Sequence, residues 1–481
     1  MFLEIIMTDE NTLLLLDGID ESLNELGLMT VGQFRSDDTE EEKYRRGSAF
    51  FRNRGGNMTP LVLCERNGVL RWNIGHTPYG NTNTRRAGVG AGKIVKQYAF
   101  NHEGENQIAS LVRKRENKAL NEKKGLWKLK ENSEKIFEFS EKFEVDETTD
   151  FSGKKILLFI HGTFSHCDTT IDQINRAGET SNKFGQKFLK DAHKKYHAIL
   201  GYNHPTLSVS PLLNAFNLSA LLRLPADRQP DQIDIICHSR GGVVARWFIE
   251  GFGVQNVKYK VIFVACPLGG TTLASPTHLR AGADLLANYA NVLSHSKGLP
   301  IANEFFILGT IIAKISQFAF MGLSKSPIFD IATAVIPGLI GQARIGNNYE
   351  LQTLHKVGAW ENHQDRYYSI TSNFEPPESD IWKFWKVFND KSNYLMTIGD
   401  KAVDSLIFVN RKKGPDEGKY IPNDVVVDTA SMTELRCKSG NVPKVQIKHH
   451  YRFEPTNRVH HTNYFDQAQL YKQIRNWLKV P

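Results

Sequence analysis

Residues 233–248 read IDIICHSRGGVVARWF, an apolar β-type run that passes through a tight polar turn into a helical pattern. A strand-to-helix turn of this kind holds a serine clear of the backbone, and its cramped geometry requires small residues two positions before and two after that serine. Ser239 is therefore the candidate nucleophile, with His238 beside it. Gly241 meets the second requirement, whereas Cys237 stands where glycine is usual. The helix behind Ser239 also directs its amides toward developing negative charge.

The chain around this turn alternates apolar runs with helical patterns from Lys154 onward, which is typical of a mostly parallel sheet with helices on both faces. Several runs end in small or polar residues, where an open α/β sheet presents its ligand site. We therefore separate an N-terminal region, residues 1–150, from a domain at 151–481. The runs are KILLFIHG, HAILGYNHP, QIDIICHS, YKVIFVACP, RYYSITSNF and VQIKHHYRF.

The first of these runs continues into HGTFS, residues 161–165. His161-Gly162 allows a sharp turn, so that the amide of Thr163 faces a substrate oxygen, and the amide of Arg240 supplies a second donor. His161 precedes the nucleophile in the chain. We therefore expect it to set the geometry of this oxyanion loop rather than to act as a base.

Four stretches, HGTFS, CHSRGG, PNDVVVDTASM and VHHTNYF, together resemble the bacterial lipase and esterase-like families of the α/β-hydrolase fold. The resemblance covers about residues 154–481 and does not extend to residues 1–150. It implies a serine ester hydrolase that forms an acyl-enzyme on Ser239 and cleaves lipid-like carboxylic esters. An acyltransferase on the same scaffold is the alternative, since no residue separates the two activities.

The acid and the base should follow Ser239 in that order along the chain. In similar lipases the histidine directly precedes a polar-aromatic helix start, which selects His461 and leaves His460 as the runner-up. His449 and His450 are expected in a strand, on opposite faces.

The resemblance of IPNDVVVDTAS to an N-D-x-x-V element selects Asp424 as the acid that orients the histidine. Asp428 and Glu375 remain alternatives. Val425 replaces the glycine that usually follows the aspartate, so we expect the loop to differ locally.

A long insertion at residues 272–346 is expected to cap the domain. Its apolar segment, EFFILGTIIAKISQFAFMGL, carries Asn303, Thr310, Lys314 and Gln317 on one narrow helical stripe. Two interpretations stay open: a lid that also makes peripheral contact with a lipid surface, and an ordinary buried cap helix. A transmembrane span is the weaker alternative.

This chemistry does not explain residues 1–150, and a sensing or partner-binding module that controls the hydrolase is an alternative for them. Asn67-Gly68 predicts a type I′ turn in a hairpin from Pro60 to Gly75. The glycines 88, 90 and 92 do not form a P-loop. A charge-rich segment, about residues 105–150, is expected to be a helical linker.

The remaining composition excludes several classes. The net charge of +8 is dispersed among acids, without a nucleic-acid motif, so no nucleic-acid partner is expected. The 5 cysteines are odd in number and lack metal-type spacing. With no signal-peptide pattern, they suggest a reducing cytoplasm. We expect no cofactor and no metal.

Overall fold

The computed structural model describes residues 15–481 except for 17, 32–37, 54–57, 75–92, 102–104, 121–122, 135, 179–182, 255, 275–278, 297–298, 321–327, 344–347, 358–359, 378–381, 383, 385–421 and 436–443. The run with Gly88, Gly90 and Gly92 lies outside the described residues, as do Cys437 and parts of the insertion.

The described strands form two sheets. Their bounds are β1 (Leu28–Thr30), β2 (Met58–Arg66), β3 (Val69–Asn73), β4 (Lys93–Asn101), β5 (Gly125–Glu131), β6 (Phe137–Phe143), β7 (Lys155–Ile160), β8 (Ala198–Asn203), β9 (Gln232–His238), β10 (Lys258–Val264), β11 (Tyr367–Ser372) and β12 (His450–Phe453). The larger sheet has the order β12-β11-β10-β9-β7-β8-β5-β6, and its members from β12 to β8 are parallel. These parallel strands are the apolar runs identified in the sequence.

Helices cover both faces of the large sheet. The described helices are α1 (Asp20–Glu25), α2 (Glu40–Asn53), α3 (Glu105–Leu120), α4 (Cys167–Arg176), α5 (Phe184–Lys195), α6 (Pro211–Leu221), α7 (Gly241–Arg246), α8 (Leu279–Ser296), α9 (Leu299–Phe320), α10 (Ile328–Val335), α11 (Pro337–Ile340), α12 (Tyr349–Val357) and α13 (Ala468–Leu478).

Alternate residues of each central strand serve the two faces, because successive side chains of a strand point in opposite directions. Along β7, Leu158 and Ile160 pack with α6, α7 and α12, whereas Leu157 and Phe159 pack with α4, α5 and α13. The predicted fold class, a mostly parallel sheet between helical layers with a cap and a smaller N-terminal β region, is confirmed.

Residues 125–143 differ from the expected helical linker. They form β5 and β6, which extend the large sheet in antiparallel fashion beyond β8. Leu129 and Phe139 are buried in this pair, while Glu138 and Glu141 are exposed. Antiparallel edge strands with one solvated face are rich in charge, which hid their alternating pattern. The helical expectation is met only by α3.

The smaller sheet is antiparallel, in the order β1-β4-β2-β3. Its β2–β3 hairpin turns at Asn67 and Gly68, whose φ angles of 55° and 78° fit the predicted type I′ turn. The outer edge of β3 is covered by side chains of α8: Asp284 accepts the amide of Trp72 at 2.6 Å, and Asn288 accepts the amide of Leu70 at 2.9 Å.

Helix α9 also packs against the N-terminal region. Among the described residues it is the one helix long and apolar enough to cross a membrane, and 78% of its apolar window is buried. Thr310, Lys314 and Gln317 of its polar stripe are buried too. Lys314 Nζ donates to the carbonyl of Leu26 at 2.8 Å, and Gln317 Nε2 to that of Pro60 at 3.3 Å. These contacts match the buried-helix interpretation of the insertion. We call the small sheet, α3, α8 and α9 together the cover.

Candidate active site

Ser239 lies at the carboxyl end of β9, just before α7, in a strained turn. Its φ angle is 52°, in the left-handed region that non-glycine residues rarely adopt. Two glycines allow the close approach of the neighbouring chain. A Cβ on Gly162 would lie 2.7 Å from Ser239 Cβ, and a Cβ on Gly241 would lie 2.4 Å from the carbonyl oxygen of Ile160. The chain therefore accepts only glycine at both positions without shifting.

Cys237 occupies the position where the common pattern has glycine. Its side chain is fully buried on the α7 face of the sheet, with Sγ 3.4 Å from the carbonyl oxygen of Ile262 and 3.9 Å from Cys266 Sγ. A glycine is required at position 242 instead, because a Cβ on Gly242 would lie 2.5 Å from Cys266. A small thiol is thus accommodated below the turn.

His461 lies between Ser239 and Asp424. Its Nε2 is 2.9 Å from Ser239 Oγ, and its Nδ1 is 2.8 Å from Asp424 Oδ2. Because a carboxylate only accepts hydrogen bonds, Nδ1 carries the proton and Nε2 is left to accept the serine hydroxyl. All three residues are buried, with exposed fractions of 5%, 4% and 0% for the serine, histidine and aspartate.

The loop that carries Asp424 is held by its own backbone. Asp424 Oδ1 accepts the amides of Val426 and Val427 at 3.1 and 2.8 Å, and the Asp424 carbonyl accepts the amide of His461 at 2.9 Å. Val425 has a φ angle of 88°, in the left-handed region that favours glycine, the residue usual at this position in the resembling lipases. The valine therefore bears the strain of this conformation, and a local difference of the loop from that pattern stays a prediction.

The alternative residues have other partners. His460 Nδ1 is 2.8 Å from the hydroxyl of Tyr289 in α8, and Asp428 accepts the Thr272 hydroxyl at 3.1 Å. Glu375 is exposed. His450 begins β12, with Nε2 2.9 Å from Thr371 Oγ1, and His449 ends the preceding 3-10 turn instead of sharing the strand.

The two predicted oxyanion donors belong to segments that adjoin Ser239. The amide of Thr163 lies in the loop after β7, where Phe164 adopts a φ angle of 54°, and the amide of Arg240 directly follows Ser239 in the chain. Among the described residues, neither amide donates a backbone hydrogen bond. The Thr163 hydroxyl is joined to Gln342 at the end of the insertion, with Gln342 Nε2 donating at 2.9 Å.

The two other histidines of the sequence motifs, His161 and His238, form hydrogen bonds to backbone groups beside the site. His161 Nδ1 is 2.8 Å from the Gly162 carbonyl oxygen, and its Nε2 accepts the amide of His204 at 3.1 Å. Burial lowers the pKa of His161 to about 3, so its ring stays neutral. His238 Nε2 lies 3.0 Å from the carbonyl oxygen of His461.

The side chain of Arg240 has a structural function that the sequence did not indicate. It is fully buried, with Nη2 donating to the carbonyl of Val209 at 2.6 Å and Nε to that of Gly338 at 3.2 Å. Burial lowers the pKa of this guanidinium to about 10.

A cavity of about 570 Å³ opens above Ser239 and His461. Its apolar wall comes from the insertion and from the N-terminal region, and polar residues of α4, among them Gln173 and Arg176, line another side. Within the described residues, no group of three or more His, Cys, Asp or Glu side chains is arranged to hold a metal. The apolar wall includes Leu273, Leu286, Leu308, Ile311, Leu26 and Val112.

Comparison with known families gives one match. The family model described as "Domain of unknown function (DUF7379)" matches residues 124–479, from just before β5 to the end of α13. No curated protein matches the chain.

Among solved structures the chain is similar to lipase 1 from Pelosinus fermentans, at 12% identity and a TM-score of 0.38, covering 69% of this chain and 98% of that one. It is also similar to the mature lipase BlEst2 of Bacillus licheniformis, at 14% identity and a TM-score of 0.33, with 71% and 96% covered. The α/β-hydrolase MGS-M2 from a deep-sea metagenome library matches at 8% identity and a TM-score of 0.29, with 71% and 93% covered. The strand order and the nucleophile turn, rather than these distant likenesses, establish the fold.

Proposed function

The chain belongs to the DUF7379 family, and we propose that it is a serine hydrolase that cleaves carboxylic esters of lipid-like substrates through an acyl-enzyme on Ser239. The observation that carries the proposal is the position of His461, 2.9 Å from the serine hydroxyl and 2.8 Å from the Asp424 carboxylate. Nucleophile, base and orienting acid are thereby within hydrogen-bond reach of one another, which is the arrangement that activates a serine.

In the acylation step, Ser239 Oγ attacks the ester carbonyl carbon while His461 Nε2 takes the hydroxyl proton. The carbonyl oxygen becomes an oxyanion that the amides of Thr163 and Arg240 stabilise. Asp424 stabilises the imidazolium that forms. The carbon–oxygen bond to the alcohol then breaks, His461 gives its proton to the leaving oxygen, and the acyl group remains on the serine.

In the deacylation step, a water molecule takes the place of the alcohol. His461 removes a proton from it as it attacks the acyl carbon, a second oxyanion forms, and Ser239 recovers its proton as the carboxylic acid departs. The same residues therefore serve both halves of the cycle, and no further protein group is required.

The preference for lipid-like esters is supported by the cavity over Ser239. Its wall above the serine is apolar, and burial of a hydrocarbon chain stabilises binding by about 0.8 kcal/mol for each methylene group. A peptide backbone would leave its amides without partners against such a wall. A cytoplasmic location and peripheral contact with a membrane stay predictions from the sequence.

Labelling with a fluorophosphonate probe tests the nucleophile. We expect the parent protein to be labelled and the Ser239→Ala variant to remain unlabelled. Ser165→Ala is the matched control, because Ser165 also lines the cavity but lies outside the hydrogen-bonded chain of Asp424, His461 and Ser239. Undiminished labelling of Ser239→Ala would contradict the assignment.

A series of esters tests the substrate class. For the parent, kcat/KM should rise with acyl chain length from acetate to at least octanoate, because each methylene enters the apolar part of the cavity. An unchanged kcat/KM across the series would argue against lipid-like substrates while leaving the nucleophile assignment intact.

A further inference from the structure

Helix α3 belongs to the N-terminal region, outside the residues that the family model matches, yet it reaches the reaction site. We propose that its Glu116 is a positioning residue that fixes both oxyanion donors through one turn of the chain, residues 206–209. The inference rests on the proposed hydrolysis at Ser239, since it concerns the stabilisation of the oxyanion in that reaction.

Glu116 is 8% exposed, and within the described part of the chain its carboxylate receives hydrogen bonds only from the turn. The amides of Leu207 and Ser208 donate to it at 2.6 and 2.9 Å, and the amide of Thr206 donates as well. The hydroxyls of Thr206 and Ser208 donate at 3.1 and 2.5 Å. Successive amides converging on one carboxylate define the path of the turn.

The turn reaches the first oxyanion donor through Thr206. A hydroxyl donates only one hydrogen, and that of Thr206 points to Glu116, which accepts and cannot donate when ionised. A lone pair of Thr206 Oγ1 is thereby directed at the amide of Phe164, 3.2 Å away. Phe164 directly follows Thr163 and has the φ angle of 54°, so this bond helps hold the strained loop that presents the Thr163 amide.

The turn reaches the second donor through Val209. The carbonyl of Val209 accepts from the buried guanidinium of Arg240 at 2.6 Å, and the backbone amide of Arg240 is the other oxyanion donor. Gly338 packs against the same turn, since its amide donates to the Leu207 carbonyl at 2.8 Å. Both donors are therefore attached to a turn whose amides face Glu116.

The charge of Glu116 matters as well as its shape. Glu116 contributes to keeping Arg240 charged, because the carboxylate raises the pKa of the guanidinium against the effect of burial. A neutral glutamine in the same place would present two N–H hydrogens toward amides and hydroxyls that also donate. The turn would then have to move, and both donors would move with it.

The decisive variant is Glu116→Gln, assayed with a soluble ester and normalised to the active sites titrated by fluorophosphonate. Loss of one oxyanion donor reduces kcat about 10²- to 10³-fold, and displaced donors should reduce it roughly 10- to 100-fold. KM should stay within about twofold, since oxyanion stabilisation acts in the transition state and not on bound substrate. An unchanged kcat per titrated site would overturn the proposal.

The matched control is Ile108→Ala on the same helix. Ile108 is buried in the core of the cover, eight residues before Glu116, and its side chain has no polar atom that could bond the turn. This variant should lower the melting temperature but keep the parent kcat per titrated site. If it lowers kcat as much as Glu116→Gln, then α3 acts through stability alone and the proposal is wrong.

Thr206 provides a second, independent test if the Glu116 variant does not fold. Thr206→Val should lower kcat, and Thr206→Ser, which keeps the hydroxyl, should restore it. Where Glu116→Gln does fold, the losses in Glu116→Gln/Thr206→Val should not multiply, since both changes break one chain of contacts. Independent, multiplying losses would overturn the proposal.

If the parent itself takes no label at Ser239, the proposed function fails first, and that result is distinct from a labelled parent with an active Glu116→Gln variant.

Discussion

The reactive edge of the large sheet and the cover above it are held together by different means. At the edge, short segments meet through backbone contacts: Gly162 and Gly241 lie so close to neighbouring chain that a Cβ would collide, and Ser239 takes a strained φ angle. Side chains join distant segments in both regions, since Ser239 and His461 are 222 residues apart, but in the cover these contacts carry no sequence motif. Asn288 bonds the amide of Leu70, 218 residues away.

This difference predicts different consequences for substitutions. A residue at the edge supplies an atom to the reaction, so its loss should lower kcat by orders of magnitude. A residue of the cover shapes the space beyond Ser239, so its change should alter which esters are accepted. Glu116 is the proposed exception, a residue of the cover that acts on the edge.

The largest effect is expected from His461→Ala. Removal of the general base of such a unit lowers kcat by about 10⁶-fold. The neighbouring variant His460→Ala is the control, because His460 contacts Tyr289 of the cover and should change kcat by no more than a few fold. Steady-state hydrolysis of a soluble ester measures both. A greater loss of kcat in His460→Ala than in His461→Ala would mean that His460 is the base.

A smaller loss is expected from Asp424→Asn. The amide oxygen would keep the bonds to Val426 and Val427, and the amide nitrogen would face His461 Nδ1, which forces the wrong tautomer. A change of this kind lowers kcat about 10⁴-fold. Asp428→Asn should leave kcat within a few fold, since Asp428 bonds Thr272. Equal losses in the two variants would count against Asp424 as the orienting acid.

The cover should respond through substrate range. Leu308→Trp places a larger side chain in the apolar wall of the cavity, which should lower kcat/KM for a dodecanoate ester about tenfold or more, because overpacking excludes the far end of the chain. An acetate ester provides the control within the same variant, and its kcat/KM should be retained. Parallel losses for both esters would mean that the wall does not select chain length.

The smallest effect concerns stability and pH. Burial lowers the pKa of His204 well below the ordinary value near 6.5, so the unfolded chain binds a proton that the folded protein does not. The contribution of His204 to the free energy of unfolding is fully present above about pH 6.5. It decreases as the pH falls below this value, by up to about 1.4 kcal/mol per pH unit. His204→Phe should keep the stacking on His161 and flatten the curve.

Urea unfolding of the parent and of His204→Phe at pH 6, 5 and 4 measures the difference. The free energy of unfolding should fall less steeply for the variant. Curves of equal slope would show that His204 is protonated in the folded state as readily as in the unfolded chain.

The edge of the sheet was largely predictable from the sequence because each of its segments carries a local motif, although the segments are distant from one another in the chain. The central parallel strands read as mostly apolar runs, and the turn around Ser239 requires small residues at fixed positions. The backbone of Val425 was not predictable from such patterns. Its left-handed φ angle is unusual for a valine, and the contacts of Asp424 and His461 hold it.

The cover was less predictable because its contacts carry no motif in the sequence. The polar stripe of α9 left open a lid or lipid-interface helix and a buried cap helix, and in the structure Lys314 and Gln317 bond backbone carbonyls of the N-terminal region. The same holds for Glu116, whose partners lie 90 to 92 residues further along the chain. Only the folded chain brings these groups together.

In the proposed mechanism Ser239 carries an acyl group. Mass spectrometry of the intact protein and of its peptides, after an acid quench, tests this most directly. With a slowly deacylating ester, the parent should gain the mass of one acyl group on the peptide that contains Ser239, and Ser239→Ala should gain none. An equal gain in Ser239→Ala, or a gain on another peptide of the parent, would contradict the account.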